Sequence, residues 1–248
     1  MSDSLVIIPT YKEKENIKSI IVAVFALEKD FDVLVIDDNS PDGTPEIVKE
    51  LIAQFPNRLF MIERPGKHGL GTAYIVGFKF ALQKGYDFIF EMDADFSHNP
   101  QDLKLLYKAC ANEGNDLAIG SRYATGVNVV NWPMGRVLMS YFASIYVQMV
   151  TRMPVKDATA GFICYRREVL ETINLDKIHF IGYAFQIEMK FTAWKFGFKI
   201  AEVPIIFTNR VLGESKMSPH ILNEAVFGIL RMKFRSFFKS YKRPNQTV

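Results

Sequence analysis

The sequence predicts an α/β fold, a mostly parallel sheet flanked by helices. Short apolar runs rich in β-branched residues alternate with longer helical patterns through the first half of the chain, which is the signature of βαβ units. Polar and acidic residues follow directly on those runs, where an open sheet of this kind presents its ligand-binding edge. The 248 residues, 49% hydrophobic and 23% charged, suffice for one large core and exclude wholesale disorder.

The first strand is read at residues 5–10, where Met1-Ser2-Asp3-Ser4 runs straight into Leu5-Val6-Ile7-Ile8 without the features of a signal peptide. Helical spacing follows at 13–27, then a strand at 32–38. The next helix, 45–55, is entered through Asp42-Gly43-Thr44-Pro45, in which Asp42 has the character of a turn or cap residue. Strand 59–63, helix 70–84, strand 88–93, helix 101–111 and strand 116–120 complete the regular half. Beyond it we read an apolar helix at 135–150, a strand pair at 161–166 and 199–207, and a helix at 183–196. The longest apolar stretch, 137–150, falls short of the roughly 20 residues a membrane-spanning helix needs.

Thirty basic residues against 27 acidic ones leave a net charge of +3, too nearly balanced for a nucleic-acid binder. Its distribution is uneven. Residues 225–248 carry six basic side chains and no acid, so a mildly acidic body bears a basic tail. The two cysteines, Cys110 and Cys164, lack metal spacing and read as buried thiols of a reducing, cytoplasmic compartment.

The chemistry sits after the strands. Pro9-Thr10-Tyr11-Lys12-Glu13 follows the first, Asp37-Asp38-Asn39-Ser40 the second, and Asp93-Ala94-Asp95 the fourth. Carboxylates gathered at neighbouring strand ends repel unless a cation or cationic partner joins them. Asp93 and Asp95, two apart at a strand end, are expected on one face. Two hard oxygen ligands without His or Cys suit Mg²⁺ or Mn²⁺, and such ions complete their shell with ligand phosphates. Arg122, Arg136, Arg210 and Lys216 form a second set, fit for phosphate oxygens. Gly66-Lys67-His68-Gly69-Leu70-Gly71-Thr72 fits neither the P-loop nor the dinucleotide fingerprint and reads as a tight turn. His98 reads as part of turn structure, and no nucleophile–base pair appears.

Together, Pro9-Thr10-Tyr11-Lys12-Glu13, Asp37-Asp38-Asn39-Ser40-Pro41-Asp42-Gly43-Thr44, Gly69-Leu70-Gly71-Thr72-Ala73-Tyr74, Met92-Asp93-Ala94-Asp95-Phe96-Ser97-His98, Gly120-Ser121-Arg122-Tyr123 and Gly213-Glu214-Ser215-Lys216 resemble the dolichol-phosphate mannose synthases and their bacterial polyprenol-phosphate relatives. The resemblance runs from Leu5 to about Met217. It implies a Rossmann-like GT-A fold; we read a catalytic domain at 1–217 and, from the charge and spacing described below, a basic amphipathic, membrane-associating helix and tail at 218–248. It also implies inverting transfer of mannose from GDP-mannose to a polyprenyl phosphate, with Mg²⁺ or Mn²⁺.

By motif, Pro9, Tyr11 and Glu13 would hold the base and ribose, with Ile36 and Asp38 beside them. Asp93, Ala94 and Asp95 would bracket the diphosphate and metal, with Ser97 as a third ligand. Arg122, Arg136 and Ser140 resemble an acceptor-phosphate site, and Arg210 and Lys216 a loop closing over the donor. The chain departs from many relatives at Lys12, where Asn is common, and at Asn39, where Gly is common. A phosphate monoester is already anionic at neutral pH, so this chemistry needs cations to hold the nucleophile and no general base. Another nucleotide sugar such as UDP-glucose, or a saccharide hydroxyl acceptor, stays open as the alternative. From Ile221 onward, Leu222, Val226, Leu230, Phe234 and Phe238 recur every four positions beside a row of Arg231, Arg235 and Lys239. That is the pattern of a helix lying on an anionic surface, here expected at the cytoplasmic face of a membrane.

Overall fold

The computed structural model describes residues 2–182, 184–209 and 220–243, with the side chains of 220–225 left aside. The strands are β1 (Ser4–Thr10), β2 (Asp32–Asp37), β3 (Leu59–Glu63), β4 (Phe88–Glu91), β5 (Leu117–Ser121), β6 (Val129–Val130), β7 (Ile163–Arg166), β8 (Ile200–Pro204) and β9 (Phe207–Thr208). The helices are α1 (Ile17–Phe25), α2 (Thr44–Gln54), α3 (Leu70–Lys84), α4 (Leu103–Ala111), α5 (Met134–Thr151), α6 (Arg167–Thr172), α7 (Ala184–Lys195) and α8 (His220–Arg235).

Seven strands form one sheet in the order β3-β2-β1-β4-β7-β5-β8, and β6 pairs with β9 in a small second sheet. The pairs of β1 with β2 and β4, of β2 with β3 and of β5 with β8 are parallel, while β7 runs antiparallel to both β4 and β5. The chain winds outward from β1 to β3 and then returns to the other side of β1 as β4. This reversal opens a crevice at the carboxyl ends of β1 and β4. Because β7 is reversed, its start, and hence the segment before it, arrives at that same edge.

Both faces of the sheet are covered, which is why its strands are nearly continuous apolar runs. Side chains alternate between two cores. Leu5 and Ile7 join Leu34, Ile36, Ile89 and Ile163 beneath α3 and α7. Val6 and Ile8 join Val33, Val35, Phe90 and Cys164 beneath α1, α2 and α4. Cys110 and Cys164 are buried free thiols, with Cys110 Sγ 3.7 Å from the Cys164 carbonyl.

The expected elements are present, with four differences. The runs at 161–166 and 199–207 do not pair with each other, since β7 and β8 lie on opposite sides of β5. The second run also breaks after Pro204, which has no amide to extend the ladder, and resumes as β9. Residues 13–16 form a turn in which the Glu13 carbonyl accepts from the Asn16 and Ile17 amides, so α1 starts at Ile17. Finally, β4 ends at Glu91, which leaves Asp93 and Asp95 in a loop rather than on one face of a strand.

No helix among the described residues is long and apolar enough to cross a membrane. α8 packs against α5 and α7, with the Tyr146 hydroxyl donating to the Val226 carbonyl at 2.8 Å and Lys233 Nζ to the Thr151 carbonyl at 3.2 Å.

α3 approaches β1 closely only because residue 77 is Gly, where an added Cβ would lie 2.7 Å from Ile7 Cγ2. Overpacking of this kind costs about 1–3 kcal/mol, against a helix-propensity gain of about 1 kcal/mol. Gly77→Ala is therefore expected to lower the urea midpoint, and a midpoint at or above the parent's would show that Ile7 yields freely.

Candidate active site

Three loops meet beyond the carboxyl ends of β1, β2 and β4. The first two are tied together by hydroxyl groups. Thr10 Oγ1 donates to Asp37 Oδ1 at 2.8 Å, the Lys12 amide to Ser40 Oγ at 3.0 Å, and the Glu13 amide to Thr44 Oγ1 at 3.1 Å. Asp37 also accepts from the amide and hydroxyl of Ser40. Asp38 pairs with Arg64, Nε to Oδ1 at 2.6 Å, and Arg64 reaches on to Thr72 Oγ1. Burial pushes the Asp38 carboxyl up and outweighs the opposing pull of Arg64. The acids of the second loop thus hold the site's frame together. Asp42 is likewise structural, accepting from the amide and hydroxyl of Thr44. Lys12 and Asn39, the two departures from the relatives' pattern, both have φ near +58°, the left-handed region that favours Asn and Gly.

The third loop carries Asp93 and Asp95. Its Phe96 is held at φ 58°, an uncommon conformation for a bulky residue. Asp95 Oδ1 accepts from the Ser97 amide at 3.1 Å, and His98 Nδ1 accepts from the Asp93 amide at 3.3 Å. His98 is buried, stacked on Phe162 at 4.8 Å between ring centroids and edge-on to Phe207. Burial depresses its pKa to about 4, so the ring is neutral and can accept the amide. His98 is more than a turn residue: it braces the loop that bears both carboxylates.

Arg122, at the end of β5, is buried and faces the segment before β7. Its Nε donates to Asp157 Oδ2 at 2.7 Å, its Nη2 to Asp157 Oδ1 at 2.6 Å and to Thr159 Oγ1 at 2.8 Å, and its amide also binds Asp157. Burial alone would raise the Asp157 carboxyl, but the hydrogen bonds and charge of Arg122 bring it below its usual value. Beneath this pair, Lys190 of α7 is fully buried and its Nζ donates to the carbonyls of Ala158 and Ala160 at 2.9 and 2.6 Å. Burial lowers Lys190 to about 8, while neighbouring Glu91, buried and bonded to Gln186, is raised by burial to about 8. Arg136, at the start of α5, lies over the Trp132 ring at 4.1 Å and donates to Asn209 Oδ1 at 3.1 Å.

One cavity of about 750 Å³ gathers these groups. Pro9, Tyr11, Glu13, Asp38, Asp93, Ala94, Asp95, Ser97, Arg122, Arg136 and Ser140 all line it. Past Arg136 the cavity continues between α5 and α8 along Met139, Phe142, Ala143, Tyr146, Val226 and Ile229, an almost wholly apolar lane. Ile36 is not a lining residue: it is fully buried in the core under α3, because its place in β2 turns it away from the edge that Asp38 reaches. Arg210 and Lys216 lie outside the described residues.

Among the described residues no group of three or more His, Cys, Asp or Glu can enclose a metal. Asp93 and Asp95 would be the residues to hold an ion here, with the buried Ser97 Oγ, which has no hydrogen-bond partner among the described residues, as a further oxygen donor. That donor set fits a hard divalent ion whose remaining positions are filled by phosphate oxygens and water.

The profile of the family described as "Glycosyl transferase family 2" matches residues 5–173. The chain belongs to this family. A polyprenol monophosphomannose synthase of Mycolicibacterium smegmatis is 45% identical over 232 residues, 94% of this chain and 87% of that protein. An undecaprenyl-phosphate mannosyltransferase of Micrococcus luteus is 43% identical over 227 residues, 92% of each. Among solved structures, glucosyl-3-phosphoglycerate synthase from Mycobacterium tuberculosis, in complex with Mn²⁺, UDP-glucose and phosphoglyceric acid, superposes with a TM-score of 0.67 at 18% identity over 94% of this chain and 78% of that one. A mannosyltransferase from Pyrobaculum calidifontis, in complex with GDP-Man and Mn²⁺, gives a TM-score of 0.60 at 19% identity over 98% of this chain and 66% of that one. Both share the GT-A fold of this family 2 glycosyltransferase.

Sequence reasoning missed Asp157, Lys190, Gln186 and Arg64. The signal for Lys190 lay in α7, where residues 184–193 are buried on every side, so its charged members had to be paired internally. Asp157 sits in a short polar loop before an apolar strand, a position that shows its role only once β7 is known to be reversed.

Removing one partner of a buried ion pair strands the other and costs about 3–5 kcal/mol. Asp157→Ala is expected to destabilise the protein by about that amount in chemical denaturation. A loss below about 1 kcal/mol, the range of an exposed pair, would show that water reaches Arg122.

Proposed function

We propose that this chain transfers mannose from GDP-mannose to the phosphate of a polyprenyl lipid, with inversion at the anomeric carbon. The cavity carries this reading, because it joins the Asp93 and Asp95 carboxylates to an apolar lane with Arg136 and Ser140 at the junction. A nucleotide diphosphate suits the carboxylate end when a divalent ion is present. A phosphate on an apolar chain suits the other end, where a saccharide acceptor would find few hydrogen-bond partners.

Asp93, Asp95 and Ser97 are the residues that would hold Mg²⁺ or Mn²⁺. When bound, the ion supplies charge neutralisation for the departing diphosphate. Pro9, Tyr11 and Glu13 form the wall for base and ribose, and Arg136 and Ser140 receive the acceptor phosphate. Arg122 contributes differently from a phosphate clamp: its Nε and Nη2 are engaged by Asp157 and Thr159, so it acts by fixing the segment that lines the cavity. The phosphate nucleophile arrives already deprotonated, which accounts for a site whose one histidine is neutral and buried. Inversion requires the acceptor phosphate oxygen to form its bond to the anomeric carbon on the face opposite the departing diphosphate, and one cavity that takes both phosphates supplies their proximity.

The acceptor's chain places the reaction at a membrane. α5, α8 and the turn after it expose Phe142 (60%), Met149 (74%), Phe227 (74%), Phe234 (64%) and Phe238 (80%). We read residues 218–248 as the segment that seats the catalytic body peripherally on the cytoplasmic face.

Incubation with a panel of labelled nucleotide sugars, Mg²⁺ or Mn²⁺ and a polyprenyl phosphate, followed by lipid extraction, is expected to give mannolipid from GDP-mannose alone; label only on water-soluble saccharide would overturn the reading. Asp95→Asn is expected to lower turnover at least roughly 100-fold in a protein of unchanged circular dichroism, since several kcal/mol of charge stabilisation are lost. Arg136→Gln is expected to raise KM for the lipid phosphate by about tenfold or more with KM for the donor little changed; an equal rise in both would remove Arg136 from the acceptor site.

A further inference from the structure

A second cavity, of about 650 Å³, lies between α7 and α8. It shares no lining residue with the catalytic one. Val226 and Ile229 of α8 face the catalytic cavity, whereas Arg231, Met232 and Arg235 face the second, roughly opposite sides of a helix with 3.6 residues per turn. The floor of the second cavity is apolar, built from Phe180, Phe191 and Met232, while Arg231, Arg235 and Lys239 stand along its rim.

The rim is cationic without a counterpart. Among the described residues Arg231, Arg235 and Lys239 form no ion pair. The lining includes one acid, Glu188, which is already occupied: it accepts from the amides of His179 and Phe180 at 2.8 and 2.9 Å, with His179 Nδ1 at 3.3 Å. The remaining ionisable lining groups are His179, largely exposed, and Tyr241, with Lys239 Nζ 5.4 Å from its ring. Three cations above an apolar floor complement a ligand that is anionic at one end and apolar at the other. A row of charges meant only to lie flat on a surface would not enclose a cavity.

We propose that this cavity is a non-catalytic site for one anionic phospholipid of the bilayer. Its phosphodiester sits between Arg231 and Arg235, and the start of an acyl chain lies on Phe180, Phe191 and Met232. Such a lipid would join α8 to α7 from the side opposite the catalytic cavity. The site is separate from the transferase reading, and its test uses neither sugar donor nor acceptor.

The full chain is to be floated with phosphatidylcholine vesicles, with and without phosphatidylglycerol. The parent is expected to prefer the phosphatidylglycerol vesicles. Arg231→Gln combined with Arg235→Gln should reduce that preference about 30-fold, at about 1 kcal/mol per basic residue. Lys14→Gln combined with Lys18→Gln, which removes the same charge elsewhere on the surface, should leave it nearly intact. Thr192→Phe narrows the cavity and keeps every charge; in a protein that melts like the parent it should also weaken the preference although no charge is lost. Equal losses from the two charge pairs, full preference in the filled variant, or displacement by inorganic phosphate at concentrations that match the bound lipid would each overturn the site. If the filled variant fails to fold, Met232→Gln, which keeps every charge but makes the floor of the cavity polar, takes its place, and an undiminished preference in it would overturn the site.

Discussion

The buried pair of Arg122 and Asp157 is the interaction on which the lower half of the site depends. Two ions taken out of water gain little net stability from each other, so the pair matters chiefly through what it positions. It joins the end of β5 to the segment entering β7, and those strands can meet at one edge only because β7 is reversed. Thr159 Oγ1 and the Arg122 amide complete the pairing, and Lys190 fixes the segment from below through two carbonyls. Three hydrogen bonds hold the guanidinium in one orientation, which keeps this part of the cavity wall preorganised.

The other half of the site divides its carboxylates by environment. Asp37 and Asp38 are consumed by hydroxyls, an amide and Arg64. Their work is to lock the first two loops and the start of α3 into one frame. Asp93 and Asp95 stand on a loop braced by a neutral histidine and open to the cavity. Similar residue types at neighbouring strand ends therefore serve as frame in one case and line the cavity in the other.

α8 is shared between two surfaces. One side closes the catalytic cavity, and another bears the rim of a separate cationic cavity. Exposed aromatic side chains lie along the same segment. The near-neutral total charge of the chain is thus a cancellation between a body whose acids are paired or clustered at the strand edge and a tail whose cations lie on α8 and the segment just after it.

Legible along the chain were the strands and helices of the regular half, the loops that carry Asp93, Asp95, Tyr11 and Asp38, and the family. All of these are local, written in side-chain periodicity and in residues a few positions apart. Tertiary structure decided what periodicity cannot hold. It put β5 between β7 and β8, sent Ile36 into the core rather than to the base, engaged the Arg122 fork with an aspartate 35 positions away, and buried Lys190 under the site. Periodicity reports which face of an element leaves water, but a charge leaving water must find its partner anywhere in the chain, and only the packed sheet brings those partners together.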